Sequence, residues 1–100
     1  MADPVWPEID ENKWNLVAEN VTSGVIDLLK SQFRFYYTYN ATATGIPADE
    51  IKDRSPILFD SDNQAEIKSP TAIDIYVWPE NADVGNDEVD IEYSIQVSAS

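Results

Sequence analysis

The side chains that most often carry chemistry are missing from this chain. Among its 100 residues there is no histidine and no cysteine. That removes the commonest general base, the usual nucleophile pairs and the usual zinc ligands. Serine hydrolysis would then need a lysine as base, but Lys13, Lys30, Lys52 and Lys68 form no motif with a serine. Three glycines cannot build a dinucleotide or nucleotide phosphate loop, and neither motif is present. Carboxylates remain. With 19 acidic residues some close pair is inevitable, so pairing alone does not point to glycoside cleavage. The expectation is a protein that is not an enzyme and has no catalytic residues.

Oxygen ligands for calcium are the best-motivated alternative chemistry. Asp60-x-Asp62-x-Gln64 opens like an EF-hand loop, yet Ala65 stands where glycine is required and Thr71 where the bidentate glutamate belongs. The run from Asp83 to Asp90 concentrates carboxylates in no recognisable ligand pattern. An acidic turn of this kind is ordinarily just solvated, so no metal and no other cofactor is expected. The sequons at Asn20 and Asn40 read as chance matches, because the first residues lack the basic and apolar runs of a secretion signal.

Charge narrows the partners. With 19 acids against 6 bases the net charge is −13, which repels nucleic acid and anionic membrane surfaces. No stretch approaches the roughly 18–20 apolar residues of a membrane helix. The chain is therefore expected to be soluble and made in a cytoplasm. Strong acidity serves solubility, and it also favours attachment to a basic surface.

Aromatic residues are the positive signal. Trp6, Trp14, Trp78, Tyr36, Tyr37, Tyr39, Tyr76 and Tyr93 are many amphipathic rings for one small domain. Such rings favour interfaces and sugar-stacking sites. Filling a thin core accounts for Phe33, Phe35, Trp14 and Tyr93. It accounts less well for Tyr36 and Trp78, which fall on the second face of strands that already have an apolar face. Tyr36, Tyr76 and Trp78 are also the rings on which a sugar or peptide would stack.

The elements that must position these rings are strands. In residues 33–40, FRFYYTYN, Phe33, Phe35, Tyr37 and Tyr39 alternate with Arg34, Tyr36, Thr38 and Asn40, a clear strand pattern. In TAIDIYVW (71–78), Ile73, Ile75 and Val77 oppose Asp74, Tyr76 and Trp78. In 89–97 the apolar residues Val89, Ile91, Tyr93, Ile95 and Val97 alternate with polar ones, and the acidic turn 79–88 makes the two runs a hairpin. Residues 14–20 read as a strand with Trp14, Leu16 and Ala18 inward. Residues 21–32 fit either a short helix or, with Gly24 at a turn, a second strand, and strand is preferred. Residues 41–56 form a long loop, Ile57–Phe59 a short apolar piece, 60–63 a turn, and 64–68 a further strand.

The predicted architecture is all-β: a small antiparallel β-sandwich or barrel of five to seven strands over residues 13–100. Residues 1–12, with two prolines and little apolar content, are expected to form an extended N-terminal arm. Trp6 is its anchor, either on its own domain or in a neighbouring subunit.

In order along the chain, WNLVAENVTSG, then FYYTYNATATGIP, then IDIYVW with an acidic turn and a closing strand, the sequence resembles small accessory virion proteins of tailed bacteriophages. The similarity spans residues 13–97 and rests on patterns of strand and turn. It implies a structural protein of the virion: a capsid decoration or cement protein, or a neck or tail component. The partners it implies are other virion proteins, the major capsid protein first, with a homo-oligomer as the working form. Interface roles then fall to Trp6, Tyr36 and Trp78. The marked acidity and the lack of a glycine-rich closing turn depart from many phage β-domains.

Overall fold

The computed structural model describes residues 9–10, 12–28, 33–58, 64–81 and 95–100. Strands dominate, and the one helical piece among the described residues is a 3-10 helix at Asp49–Arg54. The strands are β1 (Asn15–Leu28), β2 (Phe33–Ala41), β3 (Ile57–Leu58), β4 (Gln64–Asn81) and β5 (Ile95–Ala99). They form one antiparallel sheet in the order β3-β2-β4-β1-β5.

β2 forms as its alternation requires and pairs with β4 in unbroken register, from Phe33 opposite Asn81 to Ala41 opposite Ile73. Phe35 enters the main core and Tyr37 packs against it, while Tyr36 lies on the other face. β4 joins what the sequence suggested were two strands, 64–68 and 71–78, into one. Pro70 has no N–H for a ladder, yet it does not end the strand. The register with β1 jumps from Ser23 opposite Lys68 to Val21 opposite Ile73, so Pro70 sits in a stretch without a β1 partner.

β1 is likewise a single strand running through Gly24, where a turn was expected. Its register shifts between Leu16 and Ala18 and again between Ala18 and Val21, with Asn20 in the left-handed region at φ 56°. Each bulge inserts an extra residue and resets which side chains face inward. The expected inward set of Trp14, Leu16 and Ala18 is corrected: Trp14 and Leu16 share the face of Tyr76, and only Ala18, past the bulge, packs against the main core. Val17 enters the main core and Leu16 is 44% exposed, while Trp14 is buried on the opposite face.

The bulges also bend the sheet. Gly24 pairs with Ile67, whereas Ile75 pairs with Ala18, six residues away along β1. On a straight strand those positions would be about 20 Å apart. A Cβ on Gly24 would nevertheless lie 2.6 Å from Ile75 Cδ1. The sheet therefore bends so that the half made of β5, late β1 and early β4 shares one core with the half made of β2, late β4 and early β1. Between them lies the main core, with Ile26, Phe35, Ile75, Val77, Ile95 and Val97 fully buried.

β5 pairs with β1 at Leu28–Ile95 through Gly24–Ala99, and so is not the hairpin partner of β4. Its inward residues are Ile95 and Val97, as the alternation predicted. Ile9 is buried in the main core. Asn12 N–H donates to the Pro79 carbonyl, 2.8 Å. The Asn15 amide nitrogen donates to the carbonyls of Asp10, Lys13 and Val77, and its oxygen accepts from Asp10 N–H. The chain from Ile9 onward is thus tied to the domain, and Trp6 lies outside the described residues.

Candidate aromatic site

The second face of β2, β4 and β1 carries a ring cluster. Alternation on β4 places Asp74, Tyr76 and Trp78 there, and the register sets Tyr36 of β2 directly opposite Trp78. Trp14, just before β1, closes the group, meeting Trp78 edge to face with centroids 5.6 Å apart and planes at 78°. Edge-on contact is the arrangement that the ring quadrupoles favour.

A strap formed by residues 42–56 crosses these rings. Its polar and small residues cannot fill a core, but they can lie on one. Asn40 donates to the Gly45 carbonyl at 3.2 Å, and Trp14 Nε1–H donates to the Ala48 carbonyl at 3.0 Å. The 3-10 helix then sets Ile51 against the cluster. Lys52 Nζ lies 5.4 Å from the centroid of Tyr36 and 5.2 Å from that of Trp78, and 3.0 Å from Glu80 Oε2. Two ring faces and a carboxylate make a box for an ammonium group. The hydrogen bond to Glu80 raises the lysine's pKa, against the opposing effect of burial.

Trp78 Nε1–H is buried and has no hydrogen-bond partner among the described residues. Leaving such a donor unpaired costs about 1–3 kcal/mol.

Above the cluster, Asp74 is buried and ties down two unusual backbone positions. Its Oδ1 accepts from the N–H of Asn20 and from the Thr42 hydroxyl, both at 2.9 Å. The Asn20 bond is the chief cause of a lowered pKa, with the Thr42 hydroxyl and Ala43 N–H adding to it and burial opposing. Asn20 and Ala43 both have positive φ, 56° and 72°, so this carboxylate holds the β1 bulge and the turn after β2 together. Burial raises the pKa of Tyr76, and the charges of Asp74 and Glu19 add to the effect.

An open polar groove of about 520 Å³ lies elsewhere, along late β1, early β4 and β5. Polar side chains along it engage one another: Gln64 donates to Asp27 at 2.8 Å, and Lys68 pairs with Glu66 at 3.2 Å. Among the described residues no cluster of acidic side chains could hold a metal ion. The two acidic segments considered for calcium, apart from Gln64, lie outside them.

The structure therefore brings Tyr36 and Trp78 together, as the strand pattern implied. Tyr36 is half-buried, whereas Trp78 is only 7% exposed. Sequence reasoning missed the partners that complete the box, Lys52 and Glu80, and the strap that covers it. The one available signal was the charge cluster in the long loop. No helix among the described residues is long and apolar enough to cross a membrane. Comparisons with protein families, curated proteins and solved structures give no match.

Proposed function

We propose that this protein is a non-enzymatic structural component of a tailed-phage virion, most specifically a capsid decoration (cement) protein that acts through subunit contacts. What supports the reading is the resemblance in strand and turn pattern, the net charge of −13, and the character of the second sheet face. That face is the observation that carries it. Leu16 is 44% exposed there, and Ile46 in the crossing strap is 74% exposed. Exposed apolar groups on a strongly acidic chain suit a contact with a basic, partly apolar protein surface.

In this reading the bent sheet is a small β-sandwich, supported by the approach of Gly24 to Ile75. With Ile9 seated in the main core, the arm of this reading is the stretch before it, which reaches a neighbour through Trp6. The partners are the major capsid protein and further copies of the chain, and the location is the virion. A carbohydrate-binding module would need free ring faces for a sugar to stack on, and Tyr76 and Trp78 are buried. Co-sedimentation of the purified chain with particles that lack it tests the proposal. Saturable binding at a fixed number of copies per particle is expected, and no binding would overturn it.

A further inference from the structure

We propose that the box made by Tyr36, Trp78 and Glu80 is a binding site for a lysine side chain of a basic partner segment. In this structure the chain's own Lys52 occupies it. The occupant defines the ligand chemistry: an ammonium between two ring faces, 5.4 and 5.2 Å from their centroids, and paired with a carboxylate at 3.0 Å. Ammonium groups over desolvated rings are attracted by the ring quadrupole, and the carboxylate adds direction.

Two further observations indicate that the helical part of the strap can be replaced, while its ends stay tied to the sheet through Thr42 and Pro56. The 3-10 helix buries none of its residues and its start has no side-chain cap, so its hold on the sheet rests on few contacts. Beneath it, Trp14 Nε1–H is satisfied by a strap carbonyl, while the buried Trp78 Nε1–H has no partner among the described residues. A partner backbone laid across the same rings can offer carbonyls to both indoles while its lysine takes the place of Lys52. A chain at −13 draws such basic segments from solution. The inference is independent of the virion reading, because any basic protein segment fits the same chemistry.

The test uses n-butylammonium chloride and the peptide acetyl-Ala-Lys-Ala-amide, with acetyl-Ala-Leu-Ala-amide as control. Lys52→Met keeps much of the stem and vacates the ammonium position; Lys52→Gln is a second variant should the first fail to fold. Binding is read from the indole N–H signals of Trp14 and Trp78 by NMR. The vacated variants should bind both ammonium probes about tenfold more tightly than the wild type. The leucine peptide should not bind, and adding Tyr36→Ala should abolish the response. Equal response of variant and wild type, equal binding of the leucine peptide, or no shift of either indole signal would overturn the inference.

Discussion

Replacing Gly24 by alanine tests the bend in the sheet, because the new methyl group points into a specific neighbour. The added Cβ would sit 2.6 Å from Ile75 Cδ1, nearer than side-chain carbons approach. Ile75 is fully buried, so its end cannot swing into solvent. Overpacking of this kind costs about 1–3 kcal/mol. Loss of glycine's unfolded-state freedom returns about 0.4–1 kcal/mol, since Gly24 does not need a left-handed backbone. The net expectation is a destabilisation of about 1–2 kcal/mol by urea unfolding, with little change in slope. Ile75→Val removes the colliding atom and alone costs about 0.5–1.5 kcal/mol. The double variant should therefore be about 1 kcal/mol or more stabler than the sum of the two single effects. Strict additivity would show that Gly24 and Ile75 do not touch, and the bent sheet would be wrong.

Asp74 should govern acid stability. Its folded pKa is depressed below the ordinary 3.8, so its contribution is complete above that value and lost as pH falls through the folded pKa. Asp74→Asn should be less stable than the wild type at pH 7, with the gap narrowing below about pH 4 in urea titrations; a gap independent of pH would contradict this. Asn15→Ala should cost about 1–3 kcal/mol by stranding the groups its amide serves, and Asn15→Asp should cost more, since a carboxylate would face three carbonyls. The reverse order in thermal melts would refute the assigned bonds. Trp6→Ala should leave the circular dichroism spectrum unchanged while weakening assembly about thirtyfold; unchanged assembly would show that the arm is no anchor.

What could be read from the sequence depended on whether the backbone stayed regular. β2 was legible because nine residues pair with β4 without a shift, so its two faces stay fixed, with Phe35 in the main core and Tyr36 in the ring cluster. In β1 alternation correctly grouped Trp14 with Leu16, but the face they share is the ring face rather than the main core, and the bulge after Leu16 then turns both Val17 and Ala18 to the core. Residues 64–68 and 71–78 read as two strands, yet β4 runs through Pro70, because a proline is tolerated wherever the neighbouring ladder skips. The pairing of β5 with β1 rather than β4 reflects long-range packing, which adjacency along the chain does not encode. Tyr36 and Trp78 were correctly placed on a second face. That a charged loop would cover them was not legible, since a six-residue 3-10 helix leaves no periodic signature.

The most direct test of the proposed role is the protein inventory of intact particles. Particles released by a host that carries the gene for this chain should be purified through a density gradient and analysed by quantitative mass spectrometry. The chain should be present in a fixed ratio to the major capsid protein, and particles lacking it should lose their genome at lower temperature or on dilution. Its absence from intact, infectious virions would contradict the account.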